Sequence, residues 1–329
     1  MFPSAMRARP TAPWIFAALV VSALSSIGAR AQTSPPSGKL FAYHVFTPVA
    51  FQDSLVRTFD KGVTLHDVSF VSPRGGRVHA YMVIPPGKGK FPAVVFGPWG
   101  LGNRTEFIPE AIVYAQLGAL SIIVDWPWMR PAPDRREQGE LDKPEVDAAV
   151  FAQAVVDLRR TVDVVTARRD VDPTRLCYVG HSYGAQFGAI LTALDPRVRA
   201  VVLMAGIPDN AAILLESDAP EVVAYRSRYT RGQLEEYMRV NAPFDAAGWV
   251  GTIAPRPVLM QFAEYERLFG RGSVERYAAA AQSPKTVYWY PTGHELNDMQ
   301  AFFDRMTFVA GQLSLKSHDL LTFIQRSTR

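Results

Sequence analysis

The segment Gly180-His181-Ser182-Tyr183-Gly184 places a serine between two glycines, two residues from each. It follows an apolar run, Leu176–Val179, and opens a helical stretch, Tyr183–Leu194. This is the strand–turn–helix setting in which such a motif exposes a hydroxyl at the carboxyl end of a strand. Small residues at 180 and 184 let strand and helix approach. The helix N-terminus and the Tyr183 amide then lie behind the hydroxyl, where they can stabilise negative charge. A serine is a weak nucleophile until a base takes its proton. In the chain order serine, acid, histidine, that base is His294, in Tyr290-Pro-Thr-Gly-His294. The acid that orients the imidazole has three candidates: Glu264 and Glu266 in Gln261-Phe-Ala-Glu-Tyr-Glu266, and Asp209. His181 adjoins the serine, but the turn directs it elsewhere, into packing.

Other reactive residues point away from metal or thiol chemistry. His294-Glu295 lacks a second histidine four residues after the first, so the helix-borne zinc motif is absent. No Cys/His cluster replaces it, and the chemistry needs neither a metal nor an organic cofactor. The single cysteine, Cys177, lies in an apolar strand and reads as a buried structural thiol.

These residues need a frame that brings distant segments to one edge. Leu65–Val71 and Arg77–Ile84 flank Ser72-Pro-Arg-Gly-Gly76 and read as a β-hairpin. Phe91–Gly97, Leu120–Val124, Leu176–Val179, Val198–Met204, Val258–Phe262 and Thr286–Tyr290 read as short apolar strands. Helical stretches alternate with them, the longest over 144–169 with Val146, Val150, Ala154, Leu158, Val162 and Val165 three or four apart. Such alternation predicts an α/β fold: a mostly parallel central sheet with right-handed crossovers and helices on both faces. Residues 207–250 break the alternation with polar, helical sequence, including Gln233–Val240, and read as a small cap. The expected division is a leader over 1–31, a linker and lead-in over 32–64, and one domain over 65–329.

The sequence resembles the α/β-hydrolase superfamily and, within it, the dienelactone hydrolase-like serine esterases. The resemblance covers roughly residues 65–313. It rests on Val171-Asp-Pro-Thr-Arg-Leu-Cys-Tyr-Val-Gly-His-Ser182-Tyr-Gly184, the Pro255-Arg-Pro-Val-Leu-Met-Gln-Phe strand entry, and Lys285-Thr-Val-Tyr-Trp-Tyr-Pro-Thr-Gly-His294. It implies an esterase with Ser182 as nucleophile and His294 as base. The family's Gly-x-x-Asp after the preceding strand, laid on Ala263-Glu-Tyr-Glu266, implies Glu266 as the acid. The usual His-Gly after the third strand is here Pro98-Trp99. Proline has no N–H, so the resemblance implies an oxyanion donor from Trp99 or Gly100 beside that of Tyr183. Trp126 and Trp128, with Trp99 and with Trp249 from the cap, are expected to wall an apolar pocket. Two other readings use the same fold, a peptidase or amidase of the prolyl-oligopeptidase type and a non-catalytic binding protein. The first normally carries a propeller, for which 329 residues leave no room; an intact serine, histidine and acid argue against the second.

Composition closes off other classes. A chain that is 48% hydrophobic and 20% charged can bury a large core. Of its formal net charge of +4, three belong to Arg7, Arg9 and Arg30, within a stretch that has no Lys, Asp or Glu. The rest of the chain therefore carries +1, which removes the compositional case for nucleic-acid binding. The same stretch has a basic start, an apolar run from Trp14 to Leu24, and Ala29-Arg30-Ala31 before Gln32. This is the layout of a secretory signal peptide, implying export and no stable membrane association once the leader is cut. The expected partner is a small-molecule ester; oligomeric state is left open.

Overall fold

The computed structural model describes residues 38–315; the leader lies outside them. Among the described residues nine strands form one sheet in the order β1-β2-β3-β5-β4-β6-β7-β8-β9. The first three, β1 (Gln52–Thr58), β2 (Thr64–Val71) and β3 (Arg77–Ile84), pair antiparallel, and β3 joins β5 (Leu120–Val124) in the same sense. From β5 onward the pairings are parallel, through β4 (Phe91–Gly97), β6 (Val171–His181), β7 (Ala200–Met204), β8 (Val258–Ala263) and β9 (Lys285–Tyr290). Every residue of β5, β7 and β8 is buried, as parallel strands covered on both faces must be.

Helices cover both faces. On one side α2 (Pro144–Thr166), α3 (Tyr183–Leu194) and α7 (Arg271–Ala280) contribute to a core that includes Leu158, Phe187 and Tyr277. On the other, α1 (Ile108–Gln116) and α8 (Met299–Gln312) bury Tyr114, Met306 and Val309 against the strands. Two charged side chains tie this second pair together: Arg305 Nε donates to Glu110 Oε2 at 2.9 Å.

The interruption after β7 is a helical cap, with α4 (Asn210–Leu214), α5 (Pro220–Arg226) and α6 (Arg231–Asn241). A capping box between Thr230 and Gln233 starts α6 at Arg231, two residues before the stretch expected from periodicity. The cap is pinned to α2: Tyr237 Oη donates to Asp147 Oδ2 at 2.7 Å and Asn241 Nδ2 to the Pro144 carbonyl at 3.1 Å. This contact alters the expected stripe on α2. Asp147 turns inward to meet Tyr237, whereas Val146 is exposed.

The lead-in differs from expectation, because β1 lies within the stretch read as linker. Its seven residues are all exposed and show no apolar alternation, so backbone pairing to β2 defines it. The side-chain bond between His66 Nδ1 and Asp53 Oδ1, at 2.6 Å, reinforces that pairing. No helix among the described residues is long and apolar enough to cross a membrane.

Candidate active site

The carboxyl ends of β4, β6, β8 and β9 converge on Ser182. The serine has φ 55° and ψ −112°, a left-handed backbone that forces the sharp turn between β6 and α3. The neighbouring glycines are steric requirements. A Cβ on Gly184 would lie 1.9 Å from the Gly97 carbonyl oxygen, and one on Gly180 2.3 Å from Gly184. The Ser182 amide donates to the Met204 carbonyl at 2.8 Å, which fixes the turn to the end of β7.

Three side chains form a hydrogen-bonded chain. Ser182 Oγ and His294 Nε2 are 2.9 Å apart, and His294 Nδ1 meets Glu266 Oε2 at 2.7 Å. The other Glu266 oxygen accepts from the Arg267 and Leu268 amides at 3.0 and 2.9 Å. Those two bonds fix the carboxylate, which in turn holds the His294 proton on Nδ1 and leaves Nε2 facing the serine. The Phe269 ring stands edge-on to the imidazole, centroids 5.7 Å apart. Such a chain can draw the hydroxyl proton off Ser182 and stabilise the resulting imidazolium.

The other acids stand elsewhere. Glu264 is exposed. Asp209 caps α4, accepting from the Ala212 amide at 2.8 Å. His181 is buried but, contrary to expectation, does not turn away from the site: it lines the cleft, its Nε2 donates to the His294 carbonyl at 3.0 Å, and its Nδ1 meets Glu106 Oε1 at 2.8 Å.

The loop after β4 has a layout that the sequence did not disclose. Trp126 Nε1 donates to the Pro98 carbonyl at 3.0 Å and the Trp99 carbonyl at 3.2 Å, and Trp128 Nε1 donates to the Gly100 carbonyl at 2.6 Å. The two indoles hold the loop by its carbonyl groups. Trp126 and Trp128 are therefore buried anchors, at 1% and 5% exposure, and do not wall the pocket. Trp249 is buried as well, edge-on to Phe41 with its Nε1 on the Pro243 carbonyl. Of the tryptophans singled out, Trp99 does line the cleft. The Trp99 amide is engaged: it donates to Glu106 Oε2 at 2.9 Å. Gly100 packs against the Tyr183 ring, where a Cβ would come within 2.5 Å of Cδ2. As the first residue of α3, Tyr183 has an amide with no acceptor inside its own helix.

A cleft of about 840 Å³ opens over Ser182 and His294, with Trp99 and Tyr265 exposed at its mouth and Ile207 and Ile213 from the cap side. Among the described residues no three His, Cys, Asp or Glu side chains converge as a metal site. Burial pushes the Cys177 thiol up to about 12, consistent with a structural role.

No curated protein matches the chain. Among solved structures, the acetyl xylan esterase from Paenibacillus sp. R4 superposes with a TM-score of 0.70 at 21% identity, over 80% of this chain and 89% of that one. Acetyl xylan esterase 1 from Thermoanaerobacterium sp. JW/SL YS485 gives 0.71 at 20% identity, over 85% and 95%. The glucuronoyl esterase from Solibacter usitatus gives 0.56 at 15%, over 80% and 86%. At such identities the likeness is one of fold. The acetyl xylan esterase (AXE1) family model matches residues 42–208, a span that holds the β4 loop and Ser182 but ends before Glu266 and His294. That match covers half of the chain, and the protein accordingly belongs to the acetyl xylan esterase family, as a carboxylic ester hydrolase of the α/β-hydrolase fold.

Proposed function

We propose that the protein is an exported serine esterase that works through an acyl-enzyme on Ser182. The observation that carries this reading is the unbroken chain from Ser182 Oγ through His294 to Glu266, at 2.9 and 2.7 Å. Ser182 attacks the ester carbonyl carbon while its proton passes to His294 Nε2. The oxyanion is taken by the Tyr183 amide together with an amide of the Trp99–Gly100 loop, of which the Trp99 amide must first be released by Glu106. The intermediate collapses as His294 gives the proton to the leaving alcohol. Water, activated by the same imidazole, then releases the carboxylic acid and restores the serine. Glu266 keeps its negative charge throughout and stabilises the imidazolium.

The names of the structural relatives, which act on acetyl xylan or are glucuronoyl esterases, favour esters carried on carbohydrate. The exposed faces of Trp99 and Tyr265 at the cleft mouth suit a sugar ring stacked between or against them. The charged and apolar pattern of residues 1–31 supports export with cleavage after Ala31.

A fluorophosphonate probe should label the wild-type protein once and leave Ser182→Ala unlabelled. Hydrolysis of p-nitrophenyl acetate with no turnover of an aminoacyl p-nitroanilide supports an esterase; the opposite preference would replace it with an amidase. N-terminal sequencing of exported protein should begin at or near Gln32, and an intact Met1 in the membrane fraction would contradict the leader.

A further inference from the structure

Glu106 holds the Trp99 amide of the β4 loop, and the proton transfers above do not use it. Its Oε2 accepts the Trp99 amide at 2.9 Å and its Oε1 meets His181 Nδ1 at 2.8 Å. The carboxylate lines the cleft alongside Ser182 and His294 and is partly exposed there. Gly102 makes the contact possible: a Cβ at that position would fall 2.3 Å from Glu106 Oε2. Because Trp126 and Trp128 hold the loop by its carbonyls, the side chain is the part of this contact that is free to yield.

We propose that Glu106 is a specificity-determining internal ligand of the oxyanion loop: it occupies the Trp99 amide in the resting enzyme, yields it to a neutral ester carbonyl, and excludes carboxylates. This rests on the proposed esterase reading, in which the loop amides receive the oxyanion. A displaced Glu106 does not lose its second partner. His181 Nε2 faces a carbonyl, which can only accept, so that nitrogen carries a proton; in the proposed arrangement Nδ1 carries one too and donates it to Oε1, which leaves Glu106 the anion. The pair gives the carboxylate a place to remain while its other oxygen is exchanged. A neutral ester has only to displace a hydrogen bond. The carboxylate released by hydrolysis competes for the same amide and meets a like charge, and it lacks the covalent bond to Ser182 that holds the oxyanion there, so it leaves rather than rebinds.

The test is product inhibition of p-nitrophenyl acetate hydrolysis by the mature protein. In the wild type, acetate should inhibit at least about tenfold more weakly than its neutral isostere acetamide, the scale on which charged and neutral hydrogen-bond partners differ. Glu106→Gln should bring the two inhibitors together, by lowering the acetate inhibition constant about tenfold, and should lower KM a few-fold. Glu106→Asp, which keeps the charge but shortens its reach to the amide, should shift KM the same way and acetate less. Equal inhibition by acetate and acetamide in the wild type overturns the proposal without any variant. A collapse of kcat in Glu106→Gln at unchanged KM also overturns it, since that is the result of a scaffold. Failure of the wild type to react with fluorophosphonate would remove the esterase reading itself, a separate result.

Discussion

The two halves of the site are built on opposite plans. On the side of β8 and β9, each loop delivers one side chain, Glu266 or His294, and the function lies in the residue type. Two hydrogen bonds in series, 2.7 and 2.9 Å, carry it. On the side of β4 the loop delivers backbone, and its orientation is set by neighbours: two buried indoles on its carbonyls and one carboxylate on its Trp99 amide. A side-chain function is lost when its residue is changed. A backbone function cannot be deleted by changing its own residue, only displaced through the groups that hold it, so its losses should be graded.

The largest effects belong to the first plan. Ser182→Ala and His294→Ala should each lower kcat by about 10⁴–10⁶, and the double variant should be little worse than either, because the groups act as a unit. Circular dichroism should show all three folded. A His294→Ala enzyme that keeps most of its rate would break the comparison at its strongest point. Next is Glu266→Gln. The amide can hold the wrong imidazole tautomer and cannot stabilise the imidazolium by charge, so kcat should fall by about 10²–10⁴. Glu264→Gln, at an exposed carboxylate two residues away, should stay within a few-fold of wild type. If the two exchange behaviours, the hydrogen-bonded geometry is not the working one.

The second plan predicts smaller, graded losses. Trp128→Phe keeps most of the apolar volume but removes the donor to the Gly100 carbonyl, and Trp126→Phe removes the donor to the carbonyls of Pro98 and Trp99. Each should lower kcat about tenfold, less than the roughly 10²–10³ lost when an oxyanion donor is removed outright. KM should change little, since neither indole lines the cleft. A loss on the scale of His294→Ala would mean that the loop has no other support.

The same contrast decides how much of the molecule could be read from its residues. The parallel strands were legible because full burial leaves an unbroken apolar run, as in Leu176–Val179, and a run is visible without knowing its partners. Glu266 followed from the family's spacing after the strand, which the resemblance supplied; the residues alone left Glu264 and Asp209 open beside it. β1 was not legible: Gln52–Thr58 is polar and exposed, and only its pairing with β2 makes it a strand. The three tryptophans failed for a different reason. An indole after a strand suits a pocket wall and a core equally, and what buries Trp126 and Trp128 is Phe151 on α2 and Phe187 on α3, far off in sequence. Glu106 left no signal, because an acid shortly before a helix is ordinary and its partner is a backbone amide seven residues back.

Cys177 gives the smallest expected effect and tests the first plan from its other side. If residue type alone made a nucleophile, this thiol should rival the serine, since it lies on the strand that leads into the serine's turn, five positions before it. It is 1% exposed, and burial raises its pKa to about 12. The reactive species is the thiolate. At pH 8, four units below that value, about one thiol in 10⁴ is ionised, and the buried fraction is not within reach of a reagent. Iodoacetamide at pH 8 should therefore leave esterase activity and fluorophosphonate labelling intact in the folded protein, and should alkylate Cys177 only after denaturation. Raising the pH toward 10 should increase the thiolate fraction about a hundredfold and still give no reaction on the native protein, because access, not ionisation, is the tighter limit. Rapid alkylation of the native protein at pH 8 with loss of activity would show that β6 opens under native conditions, and the strained turn at its end could not then be the fixed platform that Ser182 requires.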